Sequence, residues 1–179
     1  GNTWKESPDR GVYKTTDGGK NWEQVLYVNE TTGAGDLVMD PASPNHLIAA
    51  MWDHRRWPWF FRSGGAGSGL HVTYDGGESW KQLSTKEGLP KGELGRIGLD
   101  FARGNPRVVY AVVEAKRSVM LRSEDRGDTW KVVNNAFATF HVHGSDVAER
   151  IAGRPFYFAR VAVDPTNENR VYNLHRTMD

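Results

Sequence analysis

Apolar and polar residues alternate along most of this chain in short stretches, broken repeatedly by glycine, proline, aspartate and asparagine. A period of two bounded by turn residues predicts β-strands. The pattern places them at residues 11–16, 21–28, 36–40, 46–53, 69–74, 79–85, 95–101, 107–114, 118–123, 129–134, 157–163 and 170–175. Helical periodicity is confined to residues 145–152, and is weak there. The chain is therefore expected to be all-β.

Two interleaved repeats organise these strands. Thr15-Thr16-Asp17-Gly18-Gly19-Lys20-Asn21-Trp22 returns as Thr73-Tyr74-Asp75-Gly76-Gly77-Glu78-Ser79-Trp80 and as Ser123-Glu124-Asp125-Arg126-Gly127-Asp128-Thr129-Trp130. Asp-x-Gly between two alternating runs is a hairpin signal, because glycine supplies the positive φ of tight turns. The aspartate can accept from turn N–H groups, and the tryptophan can cover the hairpin. A second motif, Val38-Met39-Asp40-Pro41, recurs as Val163-Asp164-Pro165 and more weakly as Leu99-Asp100-Phe101, each time before another apolar run. Self-similarity at this spacing marks a repeat architecture. Four strands per repeat, joined as a meander, form the blade of a β-propeller.

With strands A to D in each blade, the octamer lies between C and D, and the Asp-Pro motif between A and B. Residues 1–28 then end one blade (strands C and D), 29–85 and 86–135 are whole blades, and 136–179 hold a long connector and the start of another. The fold expected is a partial propeller of four-stranded antiparallel blades, an incomplete ring belonging to a larger one. An open array would leave apolar sheet faces uncovered.

Composition narrows the partners. The chain has 179 residues, 23 Lys plus Arg against 22 Asp plus Glu, and no cysteine. A net charge of +1 gives no reason to expect nucleic acid. Its apolar runs are too short for a membrane helix. Absence of cysteine excludes disulfides and thiolate metal sites.

The three octamers resemble Asp-box repeats, the bacterial neuraminidase repeats of sialidases, sortilin and Vps10 receptors, xyloglucanase-type glycoside hydrolases and photosystem II assembly factors. Gly11-Val12-Tyr13-Lys14-Thr15-Thr16-Asp17-Gly18-Gly19 and Asp36-Leu37-Val38-Met39-Asp40-Pro41 are most similar to bacterial proteins with sortilin-like N-terminal domains, often named glycosyl hydrolases. The resemblance implies structural roles for Asp17, Gly19, Trp22, Asp75, Gly77, Trp80, Asp125, Gly127 and Trp130. It also implies a secreted, periplasmic or envelope location. It implies no single activity, because the motif occurs in enzymes and in binding proteins alike.

Meander geometry puts the A–B and C–D turns at one end of the blades. The longer connections, residues 29–35, 54–68, 86–94 and 136–156, emerge at the other, where binding tends to live. The box aspartates are at the end away from these loops. Residues 54–68 combine Arg55, Arg56, Trp57, Trp59, Phe60 and Arg62 with a glycine-rich return. Such rings and guanidinium groups suit a glycan, a peptide or a protein surface; the alternative is a lid packed on neighbouring blades. For catalysis, a glycosidase needs two carboxylates across a cleft, and Asp36 with Asp53 is the least unsuitable pair. His141 and His143, with Asp146 behind them, make only two firm ligands, so no metal and no other cofactor is expected. The function expected is a binding scaffold; the alternative is a glycoside hydrolase with catalytic carboxylates partly outside this segment.

Overall fold

A computed structural model of the chain describes residues 3–133 and 155–174. It is all-β, with four antiparallel sheets and little helix. β1 (Val12–Lys14) pairs with β2 (Glu23–Leu26). β3 (Thr32–Asp40), β4 (Ser43–Arg56), β6 (Gly69–Thr73) and β7 (Lys81–Gln82) form the second sheet, and β5 (Phe61–Ser63) adds to the far end of β4. The third is β8 (Leu94–Phe101), β9 (Val109–Ala115), β10 (Val119–Ser123) and β11 (Lys131–Val132), in that order. β12 (Arg160–Asp164) pairs with β13 (Asn167–Leu174).

Adjacent sheets stack face to face. Val12, Leu26, Ala49 and Met51 fill the first interface. Ile48, Leu70, Val72, Ile97, Leu99, Val113 and Leu121 are among those filling the second. Val108, Tyr110, Val112, Val161 and Val163 fill the third. Successive residues of β4 thus serve different interfaces, and β6 and the first five residues of β9 are buried throughout. A sheet covered on both faces needs apolar residues at every position, which explains the uninterrupted runs in β4 and β9. β13 has one covered face and alternates instead, leaving Tyr172 and Leu174 exposed.

The first strands of successive sheets are stitched together. The Asp36 carboxylate accepts from Leu99 N–H at 3.0 Å, joining β3 to β8. Asp100 accepts from Val163 N–H at 2.7 Å, joining β8 to β12. Close inner strands with separate outer ones give a propeller-like fan of sheets, open among the described residues.

The octamers form the turns β1–β2, β6–β7 and β10–β11. In each, the hydroxyl side chain accepts from the glycine N–H two residues past the aspartate, at 3.0, 3.0 and 2.8 Å. The aspartate accepts from the N–H four residues on, at 3.0, 2.9 and 2.9 Å. Hydrogen bonds from Asn21, first its backbone and then its side chain, and from Thr15 hold the Asp17 carboxyl down at about 2. Those led by the Ser79 hydroxyl depress Asp75 further. Burial pushes Asp125 up, but its bonds with Thr129 and Ser123 prevail and its pKa is also lowered.

Backbone geometry separates the third octamer. Gly18 and Gly76 adopt φ of +75° and +74°; Arg126, at the equivalent position, adopts +68° and is the sole non-glycine with positive φ among the described residues. Its guanidinium reaches back to the preceding sheet and meets Asp40 at 2.9 Å. The box tryptophans differ in cover. Trp130 is buried in the second interface, Trp80 packs on the first, and Trp22 is 60% exposed at the end of the array.

Several element limits need revision. β3 and β4 extend past the expected limits, and residues 54–68 contain strand β5. Within residues 79–85 and the described 129–133, strand is confined to Lys81–Gln82 and Lys131–Val132. The strand expected from residue 157 begins at Arg160, because Pro155–Phe158 forms a helical turn opened by proline, whose fixed φ suits a first helical position. Residues 145–152 lie outside the described residues.

Candidate ligand-binding face

β4 and β5 form a hairpin that projects past the rest of their sheet, with pairs His54–Ser63, Arg55–Arg62 and Arg56–Phe61. Trp57 and Phe60 exchange backbone hydrogen bonds of 2.7 and 3.3 Å, closing the tip around Pro58 and Trp59. Proline restricts the turn and the paired bonds fix it. Trp59 is 83% exposed and Phe60 57%. Trp59 stacks on no other ring among the described residues, whereas Trp57 is half-buried beneath the Arg55 guanidinium, 4.8 Å from its ring centre.

The hairpin has two chemically distinct faces. On one, Arg55 pairs with Glu6 at 2.6 Å and Arg62 with Asp53 at 2.7 Å. Arg10 lies buried beneath them, donating to the carbonyls of Thr31, His54 and Lys5. Burial lowers its pKa, with Asp53 opposing. Burial likewise lowers that of His54.

The other face is aromatic. Trp52 stacks on His54 with centroids 4.0 Å apart, and the Arg96 guanidinium lies 5.3 Å from the Trp52 ring. Phe61 meets Phe156 at 5.3 Å and lies parallel to Tyr157. Arg56 sits 4.9 Å from the Phe61 ring and donates to the Tyr157 hydroxyl. Trp52 Nε1 donates to Ser63 Oγ, which donates to Glu114; the same carboxylate accepts from Arg96 N–H at 2.7 Å. The base of the hairpin therefore packs as a lid would, on the helical turn 155–158, while Trp59 and Phe60 face solvent.

The glycine-rich return crosses close above the sheet. A Cβ on Gly65 would stand 2.4 Å from Asp53 Oδ2, and one on Gly67 2.0 Å from Thr32 Oγ1. Beyond it lies an open groove of about 430 Å3 lined by Gly65, Ser68, Gly69, Leu89, Pro90 and Glu93 among others.

Asp36 and Asp53 are not brought together. Asp36 pairs opposite Ala50 and faces the β8–β11 sheet. Asp53 follows Ala49 and Met51 onto the face toward β1–β2, where Arg62 holds it. The sheet lies between them, and each carboxylate has a structural partner. Glu87 closes a capping box with Ser84, whose bonds, ahead of Lys81, hold it at about 2. His141, His143 and Asp146 lie outside the described residues. No group of three metal-ligating side chains occurs among the described residues. No helix there is long and apolar enough to cross a membrane.

Several members of this face carry no local sequence signal. Arg10 precedes the first strand, and Tyr157 lies 101 residues from the Arg56 it binds. Ser63, Arg96 and Glu114 meet through three separate strands. The sequence points to this face through residues 54–68, a long connection that combines rings and arginines.

No family model and no curated protein sequence matches the chain. Among solved structures, the chain is similar to a xyloglucanase of glycoside hydrolase family 74 from Xanthomonas campestris, a β-propeller family. The TM-score is 0.59 at 18% identity, covering 93% of this chain and 23% of that one. The likeness is one of fold, and the chain spans under a quarter of that structure's length.

Proposed function

We propose that this chain is a carbohydrate-binding segment of a larger, secreted or envelope-associated Asp-box propeller of the sortilin-like kind, engaging ligand through the β4–β5 hairpin. The observation that carries the reading is the rigid tip, which holds Trp59 and Phe60 in solvent on a packed base. Exposed indole and phenyl faces suit the apolar faces of sugar rings. The octamer hydrogen bonds support the Asp-box assignment. The exposed outer faces of β1–β2 and β12–β13, with Trp22, Tyr172 and Leu174, support their reading as half-blades that further strands of the same propeller complete.

The test is binding of the full-length protein to soluble polysaccharides, xyloglucan among them, by affinity electrophoresis and calorimetry. Trp59→Ala should weaken binding about tenfold, the scale of about 1.4 kcal/mol for an aromatic anchor, with an unchanged thermal melt. A wild-type protein that retains no polysaccharide would end the proposal.

A second reading is a glycoside hydrolase, favoured by the likeness to a xyloglucanase. Paired catalysis needs carboxylates roughly 5–10 Å apart. With Asp36 and Asp53 on opposite faces, the residues responsible would come at least partly from elsewhere in the protein. Release of reducing ends from xyloglucan, unaffected by Asp36→Ala with Asp53→Ala, is the outcome expected of that arrangement.

A further inference from the structure

The charge around the hairpin narrows the ligand further than its aromatic tip does. Between Asp53 and Asp75 the chain has no carboxylate but three arginines, Arg55, Arg56 and Arg62. With the residues packed on it, the hairpin gathers Arg10, Arg55, Arg56, Arg62 and Arg96 against Glu6, Asp53 and Glu114. The carboxylates are unevenly used. Glu6 and Asp53 neutralise Arg55 and Arg62 on one face. On the aromatic face, Glu114 is taken by the Ser63 hydroxyl and a backbone N–H. The guanidinium groups of Arg56 and Arg96 there have no carboxylate partner among the described residues. They rest on Phe61, Tyr157 and Trp52, and donate to the Tyr157 hydroxyl and the Phe156 carbonyl.

The geometry points to an acidic, uronate-bearing polysaccharide as the ligand of this face, a statement that rests on the carbohydrate-binding reading above. A guanidinium held over a ring is fixed in place and presents a planar fork that matches a carboxylate. A uronate unit carries an apolar ring face and a carboxylate at the ring edge. A polymer of such units can lie on Trp59 and Phe60 while its carboxylates meet Arg56 and its neighbours. An acidic peptide has the charge without a ring face for the indole. A neutral glucan has the ring face without the charge.

Binding of the full-length protein to polygalacturonate, xyloglucan and poly-L-glutamate decides among these. Polygalacturonate should bind at least tenfold more tightly than either other polymer at about 0.1 M salt. That advantage should collapse toward about 1 M, where the screening length falls from ~10 to ~3 Å. Arg56→Gln should remove most of the advantage, read as the ratio of polygalacturonate to xyloglucan affinity within that variant, and Arg56→Lys should keep part of it. Equal binding of xyloglucan and polygalacturonate overturns the inference but leaves the carbohydrate reading standing. Poly-L-glutamate binding as tightly as polygalacturonate overturns it in favour of charge alone. Failure of both polysaccharides overturns both statements. The polymer and salt comparisons use the wild-type protein and decide the matter even if Arg56→Gln fails to fold.

Discussion

Asp40 offers the sharpest test of how neighbouring sheets are held together. Its side chain is fully buried. It accepts from Ala42 N–H at 2.8 Å, lies 3.1 Å from His46 Nδ1, and receives Arg126 of the following sheet at 2.9 Å. His46 is itself buried and stacks on Tyr74, whose hydroxyl bonds to Asp128. Asp40→Ala strips a buried turn of its acceptor and an interface of its anion. Breaking a buried pair costs about 3–5 kcal/mol when the other charge is stranded. The Arg126 side chain is 44% exposed and water can reach it, so the lower end applies. The expected loss is about 3 kcal/mol, or roughly 6–12 °C in Tm for a domain of this size. Arg126→Gly removes the same cross-sheet contact from its exposed side. Asp40 stays buried but keeps Ala42 N–H and His46, so the lost charge-assisted hydrogen bond costs about 1.5–3 kcal/mol, and relief of a left-handed φ at a non-glycine residue returns about 1. Arg126→Gly should therefore cost about 1–2 kcal/mol, clearly less than Asp40→Ala. Urea unfolding of both variants, followed by far-ultraviolet circular dichroism, measures the difference. Equal losses in the two variants would refute the reasoning, because the interface would then depend on the arginine rather than on the buried carboxylate.

Other consequences are open to direct measurement. Trp130→Ala should cost about 3–5 kcal/mol, as a buried indole does. Trp22→Ala should match it in the full-length protein if a further sheet covers Trp22, and stay below about 1 kcal/mol if nothing does; a melt of each variant reads this out. Gly67→Ala drives a Cβ into Thr32 Oγ1 and should destabilise by about 1–3 kcal/mol, seen as a lower urea midpoint. The Asp17 pKa, depressed from 3.8 to about 2, makes the turn's contribution complete above pH ~4 and progressively lost as pH falls toward 2. An acid titration should show stability falling in that window, and Asp17→Asn should flatten it.

The architecture was readable because its signals are local. A hairpin turn needs glycine at its positive-φ position and an acceptor a fixed number of residues away, so Asp17, Asp75 and Asp125 announce themselves by spacing. Apolar runs such as 108–113 announce strands covered on both sides. Arg126 shows the limit: the sequence has arginine where the other two octamers have glycine, but not the partner it meets, Asp40 on the preceding sheet. Of the helical turn at 155–158, residues 157–158 fall in the expected strand and 155–156 in the expected connector, because a proline start and one turn of helix leave too few residues to set a period.

The candidate site depended on tertiary structure for a different reason. Asp36 and Asp53, the least unsuitable catalytic pair in the sequence, are 17 residues apart, yet strand alternation and a bulge at Ala34–Asp36 send them to opposite faces. Arg56 and Tyr157 are 101 residues apart and meet, because stacking successive sheets brings the same end of each together. Backbone periodicity is written in neighbouring residues. The side chains that share one end of a fan of sheets are chosen by how the sheets stack, and stacking obeys burial and shape rather than distance along the chain.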